Sequence, residues 1–149
     1  MQFEMYPFKK IKGCHYYEFY SAGPKGKVRK MVCIKCTDWH IVPIFNLGFG
    51  DLKGKGKIND LVVTNNQDGR KVLSTVVAAL LNFIEDRPGS WVHAKCSTPS
   101  RTRMYQMGIN LVFDEIKNNL TVYGEIKGRW EKFSKGKNYE SFLLKSKKS

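Results

Sequence analysis

Apolar and polar positions alternate along this chain with two different periods. In KVRKMVCIKC (27–36), Val28, Lys30, Val32 and Ile34 recur on a period near two, the spacing of a strand whose neighbours point to opposite faces. HYYEFYSAG (15–23) is rich in aromatic residues and predicts an earlier strand that ends at Gly23-Pro24. WHIVPIFNLGFGDL (39–52) predicts a third strand, in which Pro43 marks an edge or a bulge because proline cannot donate to a ladder. KGKGK (53–57) is a basic tip, and INDLVVTNN (58–66) predicts a short fourth strand.

The period then changes to that of a helix. Val72, Leu73, Val76, Val77, Leu80, Phe83 and Ile84 form one stripe behind a cap at Asp68 or Asn66, and Arg87-Pro88-Gly89 ends it. SWVHAKC (90–96) predicts a buried strand. A second helix starts at Thr98 as N-cap, with Pro99 at the first helical position, where proline is favoured. It runs to about Asn118, with Met104, Met107, Leu111, Val112 and Ile116 expected to face inward. LTVYGEI (120–126) predicts another strand, and ESFLLK a final strand or short helix.

The order is an antiparallel meander, then strand–helix–strand–helix–strand. It predicts an α+β domain: one mixed sheet, βαβαβ-like in its second half, with two helices packed on it. At 149 residues one domain over 1–149 is expected, with residues 143–149 as a frayed basic tail. No period of 20 to 50 residues repeats.

Charge adds a bias to this picture. The formal net charge is +13. Residues 1–37 carry +6, residues 38–90 are neutral, residues 91–120 carry +2 and residues 121–149 carry +5. Basic ends that meet on one face would attract a polyanion. No stretch approaches the roughly 20 apolar residues of a membrane span, and no apolar segment follows a basic start, so a cytoplasmic protein without membrane contact is expected. Cys33-Ile-Lys-Cys36 has zinc-type spacing, with His40 after it, but no second pair exists and the two thiols lie on a strand that points them apart. Asp51 and Asp60 could meet across a hairpin, yet turn aspartates beside glycines are common. Neither metal nor cofactor is expected.

CSTPSRTRMY (96–105) is the most pointed chemistry. A helix start offers unpaired N–H groups and a partial positive charge, fit for phosphate or carboxylate. Ser97, Thr98 and Ser100 add hydroxyls, Arg101 and Arg103 add cations, and Tyr105 follows Arg101 by four residues. A cap accounts for Thr98 and Pro99. It leaves unexplained two arginines at the positive end of a helix, where cations are mildly unfavourable. The anion could belong to a partner or to carboxylates of this chain. In GRWEKFSKGKNYESF (128–142), Arg129, Lys132, Lys135 and Lys137 interleave with Trp130, Phe133 and Tyr139, a composition suited to stacked bases and paired phosphates. His93 is the histidine placed to act as acid or base, with Tyr105 as a second candidate.

YEFYSAGPKGKVRK, FNLGFGDL, DLVVTNNQDGRKVLSTV, STPSRTRMYQMGI and KGKNYESFLL resemble, in order and over nearly the whole chain, an uncharacterised and mainly Bacteroidota domain family of unknown function. The resemblance implies one complete domain and supplies no activity.

The expectation is therefore a small basic nucleic-acid-binding protein, RNA favoured, with a phosphate site at the start of the second helix. A toxin-like nuclease is one form of it. The rival is a non-enzymatic module that docks an acidic protein partner.

Overall fold

The computed structural model describes residues 4–11, 16–39, 43–53, 57–59, 68–95 and 98–147. Its elements are β1 (Lys9–Lys10), β2 (Tyr16–Gly23), β3 (Gly26–Trp39), β4 (Pro43–Lys53), β5 (Lys57–Asn59), α1 (Gly69–Asp86), β6 (Trp91–Ala94), α2 (Pro99–Ile116), β7 (Leu120–Ile126), β8 (Arg129–Lys132) and β9 (Ser141–Ser146). The strands form one sheet in the order β1-β2-β3-β4-β6-β9-β7-β8, with β5 pairing to β4. Only β4 and β6 pair in parallel among the described ladders; the others are antiparallel. The α+β class, the N-terminal meander and the two helices agree with the sequence pattern.

Period-two alternation sorts the sheet into two faces. Tyr17, Phe19, Val32, Ile34, Phe45, Leu47, Phe49, Val92, Val122, Phe142 and Leu144 are buried on the face that meets the helices. α1 contributes Val72, Val76, Leu80 and Phe83 from the expected stripe. α2 keeps most of the expected inward face: Val112 and Ile116 are buried, and Met104 and Leu111 pack against the core. Met107 departs from it, 56 % exposed, while Tyr105 and Ile109 join the buried stripe at helical spacing with Val112 and Ile116.

Two local details follow from proline and aspartate chemistry. Pro43 opens β4, where its missing N–H breaks no internal ladder bond, and the register shift falls before it, between Cys36 and Asp38. Asp68 stands at the N-cap of α1 but makes no side-chain cap bond. Its carboxylate instead accepts from Ser21 Oγ at 2.5 Å and Tyr6 Oη at 2.6 Å, which ties the N-terminal segment and β2 to the helix start. Asn66 and residues 60–66 of the expected fourth strand lie outside the described residues.

ESFLLK forms the final strand of the two alternatives expected for it, so residues 143–146 belong to β9 and not to a frayed tail; β9 lies between β6 and β7 in the sheet. β6 and β7 both run antiparallel to β9, so they share a direction, and α2 crosses from one to the other over the strand inserted between them. β8, absent from the expected elements, is the second arm of a hairpin. Lys127 (φ 50) and Gly128 (φ 80) form its two-residue turn, the left-handed pair that matches strand twist.

Candidate functional site

β6 ends at Ala94, and the chain turns into α2 five residues later. A cavity of about 480 Å³ opens beside that turn, lined by Lys95, Thr98, Pro99, Thr102, Arg103 and Gln106, and on its far side by Asn138, Tyr139 and Glu140. Its near wall is the start of a helix with no acidic residue in the first turn, so backbone donors there face no carboxylate of that turn. Thr102 donates both its N–H and its Oγ1 to the carbonyl of Thr98, each at 3.2 Å, which stitches the first turn together.

The far wall is held in place by Gln106. Its amide nitrogen donates to the carbonyl of Lys137, and its amide oxygen accepts from the N–H of Tyr139 at 2.9 Å. Tyr139 then packs its ring on Gly124 of β7, and its hydroxyl accepts from the N–H of Ser134 at 3.0 Å. The acid at the rim is turned away: Glu140 Oε2 accepts from the N–H of Lys127 at 2.8 Å. The cavity is therefore a cationic and hydroxylic notch between a helix start and a clamped loop.

The sequence candidates divide on this frame. Thr98 and Arg103 line the notch, and Ser100 is exposed on the same first turn. Ser97 and the side chain of Arg101 lie outside the described residues. Tyr105 does not join the notch. It is 5 % exposed and lies in the core with Ile109 and Val112, because its position falls on the inward stripe of α2. The segment 128–139 also divides. Tyr139 lines the notch and is buried; Lys137 pairs with Glu131 at 3.0 Å. Lys135 pairs with Asp114 of α2 at 2.8 Å. Trp130 and Lys132 sit on the other face of the sheet, opposite Glu125 and Tyr123 in register, and Arg129 is exposed at the hairpin turn.

His93 is on that other face too. Burial holds its imidazole below its ordinary value of 6.5; Glu125 opposes this and Lys95 adds to it. The folded protein therefore binds a proton here less readily than the unfolded chain does. This contribution to stability is full above about 6.5 and is lost as pH falls through the lower folded value. Between about pH 7.5 and about pH 5.5, urea midpoints are expected to fall less for His93→Gln than for the unchanged protein. An equal fall in both proteins would remove His93 as a cause of acid sensitivity.

The two thiols of the zinc-type pair point apart. Cys33 lies on the face away from the helices, and Cys36, opposite Phe45, lies on the helix face. Asp51 is turned into the core, where Lys30 meets it, and Asp60 lies outside the described residues.

Signals missed by residue type alone were Gln106 and Asn138. Both are ordinary polar residues, and their roles arise only when a loop 31 residues away folds onto α2.

Fold and site together define a mixed-sheet α+β domain with both helices on one face and a basic notch at the start of the second. No helix among the described residues is long and apolar enough to cross a membrane. A family model described as a family of unknown function, DUF6934, matches residues 2–147, and the chain belongs to that family. No curated protein matches it, and no solved structure does.

Proposed function

We propose that this protein binds nucleic acid, RNA in preference, and that the notch at the start of α2 receives a backbone phosphate. One observation carries the reading: Lys95 and Arg103 converge on a cavity whose remaining polar lining is hydroxyl and amide, and whose rim carboxylate is engaged elsewhere. The helix start adds its partial positive charge, which suits a phosphate oxygen. The net charge of +13 supplies the long-range field that draws a polyanion to it.

The chemistry available is recognition. His93 and the notch lie near one another along β6, but His93 faces the opposite side of the sheet from the α2 core, and Tyr105 is buried. A nuclease would need a base beside the bound phosphate, and the candidates named from sequence do not provide one together.

Lys95→Ala with Arg103→Ala is expected to weaken binding of a labelled single-stranded RNA about tenfold or more at low salt. The slope of log affinity against log salt should fall by about one to two. Filter binding at three salt concentrations measures both. Unchanged affinity would show that the notch does not hold phosphate. If neither protein bound RNA while an acidic protein came down stoichiometrically, the docking reading would replace this one.

A further inference from the structure

The face of the sheet turned away from α1 and α2 carries an aromatic patch that the core does not use. Trp91 of β6 stacks on Tyr123 of β7, with ring centroids 5.9 Å apart and planes 23° from parallel. His93 of β6 meets Trp130 of β8 edge-on, also at 5.9 Å. These pairs close over Leu143 of β9, which lies opposite both His93 and Tyr123 in register. Lys145 sets its ammonium 5.0 Å from the ring of Trp91.

Three features make this patch more than sheet decoration. Trp130 is 44 % exposed at a strand edge, where a large ring gains little from the fold. Cations attend the rings: Lys145 over Trp91, and Lys132 opposite Tyr123. The patch and the notch are also neighbours along the chain. Lys95 follows His93 by two residues along the same chain and lines the cavity, so one side of β6 presents a ring and its end presents a cation.

We infer that the helix-free face is a stacking platform for single-stranded nucleic acid, whose bases stack first on the exposed ring of Trp130, which the Trp91–Tyr123 pair backs, while its backbone runs toward Lys95 at the notch. The inference rests on the nucleic-acid reading and narrows it to unpaired strands. Every base has a π-face, so ring stacking needs no sequence, but it does need bases that are not already paired. A duplex keeps its bases inside and offers this flat face only phosphate. The patch spans β6, β9, β7 and β8, about 14 Å at ~4.8 Å per strand, room for a few splayed bases. Glu125, held by Ser141 Oγ at 2.7 Å, lies within it and offers a carboxylate to amino groups on base edges.

The test is a titration of the full chain with a fluorescein-labelled ten-nucleotide RNA of mixed sequence and with the blunt duplex of the same sequence. The single strand should bind at least tenfold more tightly than the duplex. Trp130→Ala should lose about tenfold for the single strand with an unchanged salt slope, and Trp130→Phe should recover most of it. Lys95→Ala with Arg103→Ala should instead lower the slope. Circular dichroism spectra matching the unchanged protein confirm that each variant folds. If the duplex bound as tightly and Trp130→Ala had no effect, the platform would be wrong while nucleic-acid binding stood. If neither RNA bound at low salt, both readings would fall together.

Discussion

Asp51→Ala is expected to cost about 3–5 kcal/mol of unfolding free energy, the largest effect of any single change considered. Lys30 Nζ and Asp51 Oδ1 lie 2.5 Å apart, with side chains 1 % and 2 % exposed. They are cross-strand partners in β3 and β4, on the face that meets the helices. Phe19 stands opposite Lys30 in β2, and the ring of Phe49 is 5.8 Å from the ammonium. Removing the carboxylate would leave a cation among rings with its charge partner gone. The cost is that of an unpaired buried charge and does not measure the pair's own contribution. Lys30→Met with Asp51→Leu should therefore lie much closer to the unchanged protein than either single change. Urea unfolding of the four proteins gives the coupling. A double variant as unstable as Asp51→Ala would show that the pair stabilises the fold by itself.

Gly124→Ala is the second large effect, expected at about 1–3 kcal/mol. A Cβ on Gly124 would stand 2.3 Å from Tyr139 Cδ1, well inside contact distance. The ring cannot simply swing away. It packs between Phe133 and Phe142, and its N–H and hydroxyl are both held, by Gln106 and by Ser134 and Glu131. The strain therefore passes to the loop that forms the far wall of the notch. Stability and RNA affinity should fall together. In a Tyr139→Leu background the added methyl should cost less than it does in the unchanged protein. Equal costs in the two backgrounds would show that the ring does not set the limit at Gly124.

These two positions also show what the sequence could and could not reveal. Lys30 shares the register of Val28 and Val32 on its own strand, and the period-two pattern carried it without showing that it would be buried. Its partner Asp51 read as a turn aspartate, because only the pairing of β3 with β4 brings the two together. The stripe of α1 and the Thr98-Pro99 start of α2 were legible because both depend on residues within one or two turns. The inward face of α2 was legible in part: Val112 and Ile116 are buried and Met104 and Leu111 pack against the core, but Met107 is as apolar as Ile109, and only the packed sheet turns one out and the other in. β8 was hidden in a segment that read as basic and aromatic, although its Lys127-Gly128 turn is a local hairpin signal.

The site was half legible for the same reason. Thr98 and Arg103 follow from the helix start. Tyr139 was also a candidate from sequence, whereas Gln106 and Asn138 enter only when the 133–140 loop folds back, and the aromatic patch exists only because β9, the last of the described strands, inserts between β6 and β7. Trp130 was a candidate from sequence, but Trp91 lies about 30 residues before Tyr123 and shares no motif with it or with Trp130.

The most direct measurement is the salt dependence of RNA binding by protein purified without nuclease. Labelled single-stranded RNA should bind tightly at low salt, weaken steeply as salt rises, and lose both affinity and slope with Lys95→Ala and Arg103→Ala. Binding that is absent at low salt, despite a net charge of +13, would contradict the account.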